Sequence, residues 1–415
     1  MSDTMLHNFK REAGKGKKYA IELLRKLVAV PTVSNPGLNY IKFVNLLEKE
    51  CKNVGLKTKK VMVTDKKFIN QLPPANRKYP RCILLAFMNN GAKKTLHFNG
   101  HYDVVPASSG FTADPFKLRV KGDKLIARGA SDMKNGIVAM LTAVKLLKKL
   151  KIKPEWNLEF SFVPDEEIGG YCGSGYICHK KIPKADAVVV GDGGGGNQIA
   201  YAHRGIVDFD ITVYGKPAHA GAHIDGVNAF LKAMKLTAEL EKLRKKIEKR
   251  KSKFNTKRPI SGIATMMIGG VSGGGTKTNA VPDKFTFTID RRVIPEESMK
   301  EARQEIINLI KKVVRKDGTF KVKIETQDMM HSSIEKDAPL CKHIAGILEK
   351  YYGKKPLMTM IGGGLDSTWF SHVLKVPVLA CGVDGKRNHG DDEYTTTSSI
   401  LNTAAVYAEF MRIAY

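Results

Sequence analysis

Short apolar runs recur through the first half of the chain, and each gives way to an acidic or imidazole residue. LHFNG precedes His101-Tyr102-Asp103, SFVP precedes Asp165-Glu166-Glu167, and VVVG precedes Asp192. Asp132 lies in RGASDMKNG, just ahead of a long apolar stretch from Gly136 to Leu150. Runs this short read as strands. The stretches Tyr19 to Val30 (stopped by Pro31), Tyr40 to Val54 and Gly136 to Leu150 read as amphipathic helices. Strands alternating with helices point to an α/β layer with a largely parallel sheet. Ligands of such sheets gather beyond the carboxyl ends of the strands. The acidic and imidazole groups are therefore expected to converge on one crevice.

The pattern changes near Gly205. Ile206 to Tyr214 alternates as a half-buried strand does. A long helix follows, roughly Gly226 to Arg250, then strands over Gly262 to Ile268 and Lys284 to Asp290, then a helix over Glu296 to Val314. The α/β style returns from Leu340 onward. A chain of 415 residues exceeds one ordinary core. The fold class expected is α/β, with a smaller α+β domain inserted into it.

Zinc takes imidazole nitrogens and carboxylate oxygens in groups of three or four. Two ions about 3.5–4 Å apart need one shared carboxylate and private ligands for each. His101, Asp192 and Asp132 supply one set. Glu167, His389 (in NHGDDEY) and Asp132 supply the other, with Asp132 as the bridge. Each piece alone is ordinary: an HxD is commonly structural, paired glutamates commonly form a solvated turn, and GDGG is a frequent turn. Their co-occurrence beyond apolar strands carries the argument. Asp103, two residues from His101, is placed to accept the ring's other N–H and fix its tautomer. Glu166 points away from Glu167 along an extended chain. It is placed to take a proton from water and pass it to a leaving nitrogen. Cobalt and manganese also accept such donors.

Six cysteines without CxxC spacing read as buried free thiols. The net charge of +28 raises the question of nucleic acid. The lysines are spread along the chain, however, and the densest run, Leu243 to Arg258, reads as a solvated face. No specific nucleic-acid partner is expected, only weak, salt-sensitive polyanion binding. No apolar run approaches the roughly 18 residues of a membrane span. MSDTMLHNFKREAGKGKK lacks the apolar core of a signal peptide. A soluble, cytoplasmic protein is expected.

The segments GHYDVVPA, RGASDMKNG, PDEEIGG, GDGG, YGKPAHAG, TNAVPD, DRR and HGDDE together resemble one family. It is the aminoacylase, acetylornithine deacetylase and succinyl-diaminopimelate desuccinylase family of dinuclear zinc hydrolases, which also includes carboxypeptidases and dipeptidases. The segments follow the family's order over nearly the whole chain. The resemblance implies a zinc-exopeptidase-like catalytic domain over residues 1–205 and 319–415, and a lid and dimerisation domain over residues 206–318. It implies a homodimer with two zinc ions per subunit, the ligand set above, and Glu166 as base. It makes His219 the residue that enters the partner subunit's site and steadies the oxyanion, with His223 as the fallback. Asn279 and Arg292 match positions that bind the substrate carboxylate and the oxyanion region, and an Arg fork suits a carboxylate. Gly362-Gly363-Gly364 resembles a loop that lets backbone approach substrate.

One departure concerns specificity. Several deacylases of the family carry an Arg a few residues after these glycines, where Thr368 and Trp369 stand here. That shifts the expectation from a succinylated substrate toward a plain acyl amino acid or a peptide. The reaction expected is amide hydrolysis of an N-acyl amino acid, with a dipeptidase or carboxypeptidase as the alternative. A catalytically inactive polyanion-binding protein is the alternative of another class, and the complete ligand set stands against it.

Overall fold

In the computed structural model, which describes residues 2–415, the chain forms two compact units. The first comprises the chain up to Tyr201 together with Ser333–Thr359 and Leu365–Tyr415. The second comprises Ala202–Ser332 with Met360–Gly364. The second unit thus runs past residue 318, because strand Lys321–Met329 pairs with Ile206–Tyr214 along its whole length. That strand, KVKIETQDM, carries few apolar residues and gives little alternation to read.

The first unit is built on a nine-stranded mixed sheet. At its centre, Thr95–His101 runs parallel to Asn157–Val163 on one side and to Ala187–Val190 on the other. Val378–Ala380 extends the parallel set beyond Ala187–Val190. Lys57–Met62 and Cys82–Met88 add antiparallel strands at one edge. These central strands are buried almost throughout because helices cover the sheet, and their polar members His97, Asn99, Glu159 and Ser161 hydrogen-bond among themselves. Helices Lys134–Lys149 and Thr397–Arg412 pack against each other there. Phe98, Phe160 and Phe162 are fully buried, each worth roughly 1.5–3 kcal/mol relative to exposure.

Register explains where the chemistry goes. His101 lies opposite Val163, and Asn99 lies opposite Val190. Three parallel strands therefore end within two residues of one another, and the loops that follow them emerge side by side. A small antiparallel sheet of the same unit brings in the other two ligand-bearing loops. Lys124–Ile126 pairs with Tyr394–Thr396, Ile126 opposite Tyr394. The residues after Ile126 are thereby set beside those before Tyr394.

The second unit has the order strand, helix, strand, strand, helix, strand. Its antiparallel sheet runs Thr265–Gly274, Lys284–Val293, Gly205–Tyr214, Lys321–Met329. Helices Ala229–Ile247 and Met299–Asp317 start at Asn228 and Ser298, whose side chains accept the N–H groups of Leu231 and Glu301. Val207, Phe209, Ile211 and Val213, one face of the alternating strand, pack with Leu236, Leu240, Ile306 and Ile310. Among the described residues, no helix is long and apolar enough to cross a membrane.

Candidate dinuclear metal centre

His101, the last residue of its strand, is 1% exposed. Its Nε2 lies 3.1 Å from Asp132 Oδ1, 3.9 Å from Asp192 Oδ2 and 4.0 Å from Glu166 Oε2. His389 Nε2 lies 3.3 Å from Asp132 Oδ2 and 3.0 Å from Glu167 Oε2. The two oxygens of Asp132 thus address different imidazoles, as a bridging carboxylate must. Ligand atoms of His101, Asp132 and Glu167 all lie within 4.8 Å of one another. The structure therefore brings all five expected ligands into one cluster in the first unit.

Without a cation, this cluster is electrostatically unbalanced. Burial pushes Glu166 well above the usual carboxylate range, and the charges of Glu167 and Asp366 add to that. Burial raises Glu167 to about 7 and Asp192 to about 6, with the Asp132 charge next in each case. Burial also acts upward on Asp132, but hydrogen bonds to His101 and His389 outweigh it and hold the carboxyl well below its usual range. His389 is raised to about 10 by Asp132 and Glu167. Carboxylates crowded this way take up protons unless a cation takes their place. Glu167 Oε1 is in addition buried and has no hydrogen-bond partner among the described residues. Three carboxylates, two imidazoles and an orphaned oxygen fit a pair of divalent ions.

The Glu166-Glu167 segment is not the extended chain that sequence suggests. It forms a single 3₁₀ turn, Glu166–Ile168, bounded by Asp165 at φ 65° and Gly169 at φ 101°. The Asp103 carboxylate accepts the backbone N–H of Glu166 at 3.2 Å and of Glu167 at 3.1 Å. Two acceptor oxygens on adjacent N–H groups favour the turn over a strand. The side chains still diverge, Glu166 toward His101 and Glu167 toward His389. With its carboxylate so engaged, Asp103 serves His101 Nδ1 more closely through its carbonyl, at 3.1 Å, than through Oδ1, at 3.5 Å. Asp192 caps a run in which Gly193 to Gly196 all have positive φ, a path that side-chain-bearing residues rarely follow.

Sequence reasoning missed Glu393. It is fully buried. One oxygen accepts the N–H of Ser131 and of Asp132, both at 2.8 Å. The other accepts from Gly129 N at 3.2 Å and Arg128 Nη1 at 2.5 Å. Glu393 thereby fixes the backbone that carries the bridging carboxylate. The signal was present as the last acid of HGDDE. Glu393→Gln turns an NH₂ group toward donors, and we expect metal affinity to fall by about 10–100-fold. An ion titration of the purified variant checks this, and wild-type affinity would remove Glu393 from the role.

The second unit carries the remaining expected residues. His219 is exposed, and its Nδ1 accepts the Gly221 N–H at 3.1 Å. The neutral ring therefore bears its proton on Nε2. Ala220 N donates to Asn279 O, so the His219 and Asn279 segments are joined. Arg292 is already gripped by Asp290, Nε to Oδ1 at 2.7 Å and Nη2 to Oδ2 at 2.6 Å. The fork expected to hold a substrate carboxylate is thus shared with a neighbour on the same strand. A Cβ on Gly364 would lie 1.9 Å from Met329 Sδ, whereas one on Gly363 would meet nothing. In the first unit, Thr368 and Trp369 are both buried.

Residues 97–413 match the model of peptidase family M20/M25/M40. The chain is 26% identical over 334 residues to a succinyl-diaminopimelate desuccinylase of Wigglesworthia glossinidia brevipalpis, covering 78% of this chain and 84% of that protein. It superposes on the dipeptidase Dug1p of Saccharomyces cerevisiae with a TM-score of 0.79 at 18% identity, over 99% of this chain and 98% of that one. It also superposes on a dinuclear metal-binding peptidase of Bacillus subtilis, with a TM-score of 0.68 at 13% identity, over 96% and 98% of the two chains. The strand-end cluster and the matched segment agree, and the chain belongs to peptidase family M20/M25/M40, a metal-dependent hydrolase acting on amide bonds.

Proposed function

We propose that the protein hydrolyses the amide bond of an N-acyl amino acid or short peptide at the centre formed by His101, Asp132, Glu167, Asp192 and His389. One observation carries the reading: Glu166, with its side chain 10% exposed and crowded by neighbouring carboxylates, sits 4.0 Å from His101 without being either imidazole's nearest contact. These residues would hold two divalent ions, zinc in the first instance, which would supply Lewis acidity for the carbonyl and acidify an attacking water. Glu166 takes the proton of that water and delivers it to the leaving nitrogen. Asp103 keeps Glu166 in place through the turn's backbone N–H groups. His219, from the partner subunit of a homodimer, donates from Nε2 to the developing oxyanion. Asn279 and Arg292 hold the substrate's carboxylate end, while Gly363 and Gly364 let backbone approach it.

Pairing of subunits is supported by the second unit's surface. Thr265–Gly274 is an edge strand with Met267 and Val271 exposed. Phe230, Leu231 and Met234, on the first two turns of Ala229–Ile247, are exposed as well. Apolar side chains on a free edge and a neighbouring helix mark an interface. Six buried free cysteines favour a reducing, cytoplasmic setting.

Burial of Thr368 and Trp369 favours a substrate without a second carboxylate, because no cation is offered at that place. A dipeptide fits that restriction as well as a monocarboxylate acyl amino acid, so dipeptidase activity is the second reading. The test pairs metal content with turnover on a panel of acetyl, succinyl and dipeptide substrates. About two ions per chain, chelator-sensitive turnover and a preference against the succinyl compound are expected. No turnover after zinc or cobalt reconstitution would overturn the reading.

A further inference from the structure

Behind the Glu166-Glu167 turn, and outside the ligand cluster, lies a buried ion pair with no assigned purpose. Asp165 and Arg81 are 0% and 1% exposed. Arg81 Nε donates to Asp165 Oδ2 at 2.9 Å, and Tyr40 Oη donates to Asp165 Oδ1 at 2.9 Å. Three further Arg81 N–H groups donate to backbone carbonyls, those of Asn76 and Tyr79 at 2.8 Å and of Pro36 at 3.1 Å. Arg81 and Tyr40 both precede the family-matched segment.

Asp165 is the residue on which the turn depends. Its φ of 65° lies in the left-handed region, sparsely populated by side-chain-bearing residues though tolerated by Asp. Its carbonyl accepts the N–H of Ile168 at 3.2 Å and of Gly170 at 2.6 Å, which closes the turn carrying both glutamates. A residue in that conformation persists only where its surroundings over-determine it. Two side-chain donors on its carboxylate supply that determination from one side. The Asp103 carboxylate, on the N–H groups of Glu166 and Glu167, supplies it from the other.

We propose that Arg81 and Tyr40 are positioning residues which, through the buried Asp165 carboxylate, set the Glu166-Glu167 turn, so that the segment ahead of the family-matched region is part of the hydrolytic machinery. The geometry favours this over a purely structural pair, because both ends of the pair's reach are occupied. One end holds the loops around Pro36 and Asn76, and the other ends one residue short of Glu166. The inference rests on the preceding reading in taking Glu167 as a ligand and Glu166 as the proton carrier.

The test compares wild type with Arg81→Met, Tyr40→Phe and Asp165→Asn, using cobalt titration and steady-state kinetics below the melting temperature of each variant. Arg81→Met is expected to lose about 10–100-fold in affinity for one of the two ion equivalents, the one shared with His389. Its kcat is expected to fall about 100-fold, with KM changed less than about twofold. Tyr40→Phe keeps the ion pair and is the variant to rely on if Arg81→Met does not fold. Its losses are expected in the same two quantities, about three- to tenfold. Asp165→Asn keeps the left-handed preference but turns an NH₂ group toward the Arg81 or Tyr40 donor and leaves the buried guanidinium without its counter-charge, so losses in the same two quantities at least as large as those of Tyr40→Phe are expected. Ion affinities and kcat at wild-type values in folded Arg81→Met or Tyr40→Phe would overturn the proposal, and so would equal weakening of both equivalents. The cobalt titration reads the turn whether or not any substrate is turned over, so it separates this inference from the assignment of the reaction. Failure of the wild type to bind two ions would count against that assignment.

Discussion

Glu166→Gln is expected to lower kcat by about 10²–10⁴-fold while the protein still takes up two divalent ions per chain. The substitution keeps the shape of the side chain and removes its capacity to carry a proton. Glu166 Oε2 lies 4.0 Å from His101 Nε2, beyond the 3.0–3.3 Å at which Asp132 and Glu167 meet the imidazoles and beside the 3.9 Å of Asp192, so the ion count of the variant separates base from ligand. Its backbone N–H is held by Asp103, so the turn survives the change. KM is expected to shift little, because a proton carrier contributes chiefly in the transition state. Kinetics on the preferred substrate, with metal content measured on the same sample, check both halves. Undiminished turnover would remove Glu166 from the role of base. Loss of an ion together with turnover would place it among the ligands instead.

The second large effect is expected at His219. His219→Ala removes a donor to the developing oxyanion and is expected to cost about 10²–10³-fold in kcat, with metal content and dimerisation intact. The more telling measurement mixes the two inactive proteins. If His219 serves the partner's centre, a heterodimer of His219→Ala with Glu166→Gln contains one complete site. Random exchange then restores roughly a quarter of wild-type turnover, since half the dimers are mixed and one site in each is intact. No recovery on mixing, with exchange verified, would confine His219 to its own subunit.

Much of this centre was legible because its parts obey local rules. His101 and Asp192 stand at the ends of apolar runs, and parallel register then aligns those ends. Asp132 and His389 were legible by donor chemistry and motif, although their proximity depends on the pairing of Lys124–Ile126 with Tyr394–Thr396. What stayed hidden is long-range or conformational. The reach of Glu393 back to Asp132 spans 261 residues and leaves no local pattern. Arg81 stands immediately before a strand, and nothing local in the sequence announces Asp165 as its partner. The extended reading of Glu166-Glu167 failed because a left-handed Asp165 and the Asp103 acceptor bend the chain, and neither has a period. Strand Lys321–Met329 was missed because it is an edge strand with a mostly exposed, polar sequence.

The tie from Glu393 to the Asp132 loop also orders events in time. Synthesis runs from the N-terminus, so Asp132 leaves the ribosome long before the side chain that secures its backbone. Until residues 389–393 have emerged and folded back, one imidazole and the acceptor of four donors are absent. Contacts this distant in sequence form late and slowly. Maturation of the centre is therefore a post-translational event in the literal sense, and a chain stalled or clipped before His389 lacks both the second imidazole and the acceptor that secures Asp132.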